Sequence, residues 1–235
     1  GVYIEHQSAH PSRVGLLPVS VSSHQAAASF LKGLTVQYLL RQTYPVTAGE
    51  TLLFHAAAGG VGLIACQWAK ALGAKLIGTV GSAEKAQAAK QAGAVATINY
   101  RQEDIAARVL ALTGGQKVPV VYDSVGNDSW EASLDCLQRR GLMVSFGNSS
   151  GPVTGVNLGI LNQKGSLFVT RPSLSGYITT ASELDAASHE LFTLLASGAI
   201  KVPVAESQKF ALKEAALAHR QLESRATQGS SLLIP

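Results

Sequence analysis

The stretch His55-Ala56-Ala57-Ala58-Gly59-Gly60-Val61-Gly62 gathers small residues at a turn where they have a definite use. It follows an apolar run, Thr51–His55, and opens a helical one, Val61–Leu72. At a strand-to-helix turn the first helical N–H groups lack partners within the helix and carry the positive end of its dipole, which suits a phosphate. Against the three-glycine dinucleotide spacing, Ala57, Gly59 and Gly62 occupy the three positions. Gly59 lets the backbone approach a pyrophosphate, Gly62 lets the helix approach the strand, and the N–H groups near Gly60 and Val61 point at the phosphates. Ala57 departs from the strict form. The competing use of such a turn is tight packing with no ligand.

Which dinucleotide follows from the end of the next strand, where an NAD-binding site offers an Asp or Glu to the ribose. This chain has Thr79-Val80-Gly81-Ser82-Ala83-Glu84-Lys85 there, with no acid at the strand end itself. Ser82 can offer a hydroxyl and Lys85 a charge to a 2′-phosphate, which the start of the next helix also favours. Glu84 would repel that phosphate, so it is expected to complement the helix dipole and point away. Lys85 could equally be a solvated helix lysine.

Other chemistries fail on spacing. The six histidines, His6, His10, His24, His55, His189 and His219, pair neither with each other nor with Cys66 or Cys136 at metal-ligand intervals, and no metal is expected. Gly147-Asn148-Ser149-Ser150-Gly151 lacks the Gly-x-Ser-x-Gly frame of a nucleophile elbow, and no Gly-Lys-Ser/Thr phosphate loop occurs. Two cysteines form no disulfide framework; both read as buried thiols on apolar helix faces in a reducing compartment.

These residues need a scaffold, and the chain's rhythm supplies one. Strands are expected at Thr51–His55, Lys75–Val80, Ala96–Asn99, Val118–Asp123, Leu142–Phe146 and Ser166–Thr170. Helices are expected at Val61–Leu72, Ala83–Ala92, Ile105–Leu112 and Trp130–Leu137. Strands apolar throughout and separated by helices belong to a parallel sheet covered on both faces, so the fold class is doubly wound α/β. A helix from Ser23 to about Gln42, with Ser22 or Ser23 as N-cap, precedes this unit. Short strands are expected before it, from Gly1 to Pro18. After Pro172 come a helix over Ser182–Ser197, a break at Pro203, a short run around Phe210, a helix over Lys213–Ser224 and a strand over Ser231–Ile234. The amphipathic face of Lys213–Ser224 is assigned to core packing.

Composition agrees. With 46% hydrophobic and 14% charged residues, the 235-residue chain is packed rather than disordered. The net charge of +4 is spread along the chain, which argues against a nucleic-acid partner. No apolar stretch reaches the roughly 18 residues of a membrane span, and the first residues show no basic stretch followed by an apolar core, so the expected location is cytoplasmic.

Around these residues the chain resembles the zinc-independent quinone oxidoreductases of the medium-chain dehydrogenase/reductase superfamily, the zeta-crystallin family, and most closely its bacterial NADPH:quinone reductases. The resemblance rests on Ala26–Thr35, His55–Gly62, Gly81–Lys85, Asp123-Ser124-Val125-Gly126, Ser145–Gly151 and Thr170-Arg171-Pro172-Ser173-Leu174. It implies a Rossmann domain binding NADPH, a quinone acceptor and a homodimer. It also implies site roles: Gly60 and Val61 at the pyrophosphate, Ser82 and Lys85 at the 2′-phosphate, and Tyr100 beside the adenosine. Val125 would border the adenosine and ribose, and Phe146, Gly147, Ser149, Ser150, Pro172 and Leu174 the nicotinamide. Tyr38 would face the cofactor and Arg225 the phosphates. From the residues alone, Tyr38 and Phe146 belong to core packing and Asp123 caps the next helix.

The family also carries a GroES-like catalytic domain, and the resemblance places remnants of it at both chain ends. Residues 1–32 are then the end of that domain and the start of a linker helix, 33–174 the Rossmann domain, and 175–235 the return segment. On that reading most acceptor-side residues lie outside the chain, no catalytic residue can be named, and NADPH binding is expected with weak turnover. The alternatives are an enoyl or alkenal reductase of the same superfamily, or a non-catalytic NADPH-binding module.

Overall fold

The strands β1 (Thr51–Phe54), β2 (Lys75–Val80), β3 (Ala96–Asn99), β4 (Val118–Asp123), β5 (Leu137–Ser145) and β6 (Phe168–Thr170) form one parallel sheet in the order β3-β2-β1-β4-β5-β6. The structure is a computed structural model and describes residues 4–6, 8–9, 14–224 and 230–235. Neighbouring residues of one strand serve opposite faces: Leu52, Phe54, Leu76, Val120 and Tyr122 join one buried cluster, Leu53, Ile77, Val121 and Met143 the other. Cover on both faces is why the strands read as unbroken apolar runs.

Helices α1 (Ser23–Gln37), α2 (Gly60–Ala71), α3 (Ala83–Gln91) and α7 (Ala181–Ala196) supply the first cluster. Helices α4 (Ile105–Leu112), α5 (Trp130–Asp135) and α6 (Gly159–Gln163) supply the second. Trp68 of α2, fully buried, is the largest side chain in the first. Ser22 caps α1 in a reciprocal box with Gln25, and Thr180 caps α7 with Glu183. Helix α1 lies close against α7 because Gly33 has no side chain; a Cβ there would stand 2.5 Å from Leu191 Cδ1.

The long helix departs from expectation at its end. Tyr38–Thr43 winds as a π segment, and the buried Tyr122 hydroxyl reaches the Leu39 carbonyl at 3.2 Å and the Tyr44 carbonyl at 3.3 Å. A side chain inserted into the helical ladder is a recognised cause of such widening.

Other boundaries also move. The helix expected over Trp130–Leu137 stops at Asp135, because Leu137 is already paired with Val118 in the sheet. Helix α6 was not expected, and the helix expected over Lys213–Ser224 begins with a 3-10 turn and becomes α8 (Ala215–Glu223). Its apolar face is not core-packed: Ala218 is buried, but Leu217 and Leu222 are 39% and 56% exposed. The helix rests on β7 (Lys209–Ala211) and its preceding turn, not on the large sheet. Strand β8 (Leu232–Ile234) pairs in parallel with β7. Among the described residues before Pro18 there are no strands; no described strand lies alongside to take their hydrogen bonds. Cys66 and Cys136 are free and buried, Cys136 at the end of α5 and not on a helix face.

Candidate functional site

The progression of strand order reverses between the parallel neighbours β1 and β4, whose following segments diverge to opposite faces. A crevice at the carboxyl ends of the strands results at such a point. The loops after β1, β2, β3, β4, β5 and β6 carry, in turn, Gly59–Gly62, Ser82 and Lys85, Tyr100, Val125, Phe146–Ser150, and Pro172 with Leu174. The topology therefore brings these expected residues to one edge of the sheet.

The phosphate turn is built by close contacts. A Cβ on Gly62 would stand 2.4 Å from the Ala56 carbonyl oxygen and 2.6 Å from Ala57 Cα, so only glycine lets α2 start here. Ala56 takes the left-handed conformation, φ 53°, and its carbonyl accepts from Gly59 N–H at 2.9 Å. The departure at Ala57 is accommodated across the sheet: a Cβ on Gly78 of β2 would stand 2.4 Å from the Ala57 methyl. An alanine at the first position thus seats where the neighbouring strand has a glycine. Gly59 caps α2 without a side-chain hydrogen bond, and the helix has no acid in its first turn.

Beneath this turn lies a buried polar network. The Ser133 hydroxyl donates to Asp123 Oδ2 at 2.8 Å, so it accepts from His55 Nε2 at 2.9 Å. His55 Nδ1 is then the acceptor for the Thr79 hydroxyl, 3.0 Å away. Asp123 also accepts from Ser129 Oγ at 2.6 Å and from the N–H groups of Val125 and Gly126 at 2.7 and 3.1 Å. His55 and Asp123 are 2% and 0% exposed. Burial lowers the His55 pKa against the opposing pull of Asp123. The network ties the ends of β1, β2 and β4 to α5; Asp123 does not cap that helix, whose N-cap Ser129 makes no side-chain cap bond, but holds the loop before it through the Val125 and Gly126 N–H groups.

On the β2 side, Ser82 caps α3, its oxygen accepting from Lys85 N–H at 3.3 Å. A Cβ on Gly81 would meet the Tyr100 hydroxyl at 2.7 Å, so the Tyr100 ring lies over the turn. One expectation is corrected: Glu84 does not turn away from Ser82, whose hydroxyl donates to its carboxylate and lowers its pKa.

The loops after β4 and β5 are latched together. Ser150 N–H and Oγ both donate to the Val125 carbonyl at 2.8 Å, and Ser150 Oγ accepts from Asp128 N–H at 3.1 Å. The Ser150 hydroxyl thus shapes the loop, leaving Ser149 exposed beside it. Gly147 is required by proximity, its Cβ position being 2.7 Å from the Ser124 carbonyl oxygen. Phe146 and Leu174 are half-buried against the first cluster, while Pro172 is buried. Tyr38 is 2% exposed and stacks on Tyr177 with ring centroids 4.6 Å apart. Burial pushes its phenol up to about 12, Tyr177 adding to the shift and Arg171 opposing it. Arg225 lies outside the described residues.

Sequence reading missed three groups: Lys32, whose arm lies over Gly60; the Thr79–His55–Ser133 chain; and Arg171, which donates to the Ser145 carbonyl at 2.9 Å. Lys32 and Arg171 stand inside the motifs that carry the resemblance, which was the available signal. Ser133 had none. Among the described residues no group of three or more His, Cys, Asp or Glu could hold a metal ion, and no helix is long and apolar enough to cross a membrane.

The sheet order, the glycine turn and the crevice define a dinucleotide-binding Rossmann unit. Residues 60–197 match the zinc-binding dehydrogenase family model. The chain is 72% identical over all 235 residues to a quinone oxidoreductase of Salmonella typhimurium, covering 72% of that relative. It is 46% identical over 213 residues to a 2-haloacrylate reductase of Burkholderia, with 89% of this chain and 62% of that one aligned. It superposes on the crystal structure of Escherichia coli quinone oxidoreductase complexed with NADPH with a TM-score of 0.92 and 74% identity, over 94% of this chain and 68% of the other. The chain belongs to the quinone oxidoreductase family of the medium-chain dehydrogenase/reductase superfamily.

Proposed function

We propose that this protein is an NADPH-dependent oxidoreductase that reduces quinones. The observation that carries the reading is the meeting, at one sheet edge, of an uncapped α2 N-terminus with the Ser82–Lys85 turn, where an NAD site would hold a carboxylate. The likeness to an NADPH-bound quinone oxidoreductase supports it. The residues fit the cofactor: the first turn of α2 lacks an acid, and Gly81 lets the Tyr100 ring lie over the turn that carries Ser82.

In this reading Gly59, Gly60, Val61 and Gly62 hold the diphosphate, and Ser82 with Lys85 binds the 2′-phosphate. Tyr100 and Val125 flank the adenosine. Phe146, Gly147, Ser149, Ser150, Pro172 and Leu174 shape the nicotinamide end, where Tyr38 adds a packed wall and Arg225 a charge toward the phosphates. Bound NADPH would supply a hydride, that is two electrons with one proton, and the reduced acceptor would take its second proton from solvent on leaving the site. The protein's own part is to orient and to exclude water, which needs no side-chain nucleophile.

Residues 33–174 carry the nucleotide domain and α7 of the return segment 175–235 packs on its sheet, with 1–32 and the remainder of that segment belonging to a catalytic domain. The protein works in the cytoplasm as a homodimer, and the exposed edge strand β6, with Phe168 59% and Val169 39% exposed, is its interface. A second reading, reduction of an activated alkene, is favoured by the identity to the 2-haloacrylate reductase.

The experiment is oxidation of NADPH by benzoquinone and by an α,β-unsaturated acid, followed through the nicotinamide absorbance. Quinone turnover above the alkene rate supports the first reading and the reverse the second. NADPH binding with neither turnover would make the chain a binding module.

A further inference from the structure

We infer that Lys32 is a diphosphate-binding residue of the nucleotide site, its ammonium completing the anion cradle begun by the first turn of α2. This rests on the nucleotide reading above. Lys32 lies on α1 and its arm crosses Gly60: a Cβ on Gly60 would stand 2.9 Å from Lys32 Cδ, Cε and Nζ alike. The glycine that opens α2 therefore makes room for a lysine arm as well as for a ligand.

The ammonium is held in place. Nζ donates to Ser230 Oγ at 2.6 Å, and Ser230 Oγ donates to the Ala28 carbonyl at 2.7 Å. Ser230 is 2% exposed, so this anchor is buried and links the segment before β8 to the backbone of α1. A lysine fixed in this way loses little side-chain freedom on meeting a ligand.

Its electrostatic setting points to an anion. The start of α2 is the positive end of a helix dipole, which favours negative charge, yet Gly59 provides no side-chain cap and the first turn provides no acid. A cation is brought to that end instead. Burial removes water from the ammonium and lowers its pKa from 10.5, the cost of holding a charge there. A bridging anion of several oxygens relieves both terms at once. Lys32 stands at the α2 turn and Lys85 at the α3 turn, so the two lysines read different phosphates. Lys32 serves the diphosphate common to NADPH and NADH, and Lys85 the 2′-phosphate of NADPH alone.

The test titrates the chain, Lys32→Met and Lys85→Ala with NADPH, NADH and adenosine 2′-monophosphate, which lacks the diphosphate. Methionine keeps an unbranched arm over Gly60 without the charge. Lys32→Met should weaken NADPH and NADH by the same factor, about tenfold or more, as expected for a charge-assisted contact. It should leave adenosine 2′-monophosphate unchanged. Lys85→Ala should weaken NADPH and adenosine 2′-monophosphate and spare NADH. Unchanged dinucleotide affinity in Lys32→Met overturns the inference, as does an equal loss for all three probes, which would make the lysine structural. If the unmodified chain binds none of the probes, the nucleotide reading fails and this inference fails with it.

Discussion

Single residues at the crevice divide into those that shape the backbone and those free to meet a ligand. Gly62 belongs to the first kind. Gly62→Ala puts a methyl into the backbone of Ala56 and Ala57, neither of which can move without shifting β1. Overpacking of this kind costs about 1–3 kcal/mol, so the variant should melt several degrees lower and bind nucleotide poorly, as differential scanning calorimetry and titration would register. Lys85 belongs to the second kind. Lys85→Ala should cost NADPH about 1.5–3 kcal/mol, more than tenfold in Kd, and leave NADH unchanged. The Glu84 carboxylate already takes the Ser82 hydroxyl, so Glu84→Gln, with one repulsive charge removed, should tighten NADPH in the same titration. The close helix approach at Gly62 was legible in the sequence because its spacing has a mechanism. The tie between Glu84 and Ser82 was not, since first-turn acids usually serve the dipole alone.

Elements carry the polar network under the phosphate turn, and it gives the fold a pH response. Burial lowers the His55 pKa, so the unfolded chain binds a proton near 6.5 that the folded chain refuses. This stabilisation is present above 6.5 and is lost as pH falls below that value toward the folded pKa. The melting temperature should therefore drop between about pH 7 and about pH 5, and His55→Gln should reduce that drop. An unchanged profile in the variant would locate the acid sensitivity elsewhere. The same elements explain what could be read in advance. Lys75–Val80, Ala96–Asn99 and Val118–Asp123 were found to the residue, the first and last because strands buried on both faces leave no ambiguity of period. Leu137 was read as helix since it continues an apolar run, and only its pairing with Val118 makes it strand. The π segment is met by the Tyr122 hydroxyl, 83 and 78 positions away in sequence from the Leu39 and Tyr44 carbonyls it reaches. Helix periodicity cannot register a contact so distant.

At the scale of the whole molecule the proposed dimer rests on β6. Sedimentation should give twice the chain mass of 24.4 kDa, and Phe168→Lys should return the species to the monomer. A monomer at all concentrations would remove β6 as an interface. Sheet order, crevice and Lys85 converge on one claim, that this chain selects a nicotinamide dinucleotide bearing a 2′-phosphate. The direct measurement is a pair of calorimetric titrations with NADPH and NADH on the same sample. The account predicts that NADPH binds at least about tenfold more tightly, the difference a single charge-assisted phosphate contact supplies. Equal affinities, or tighter binding of NADH, would contradict it.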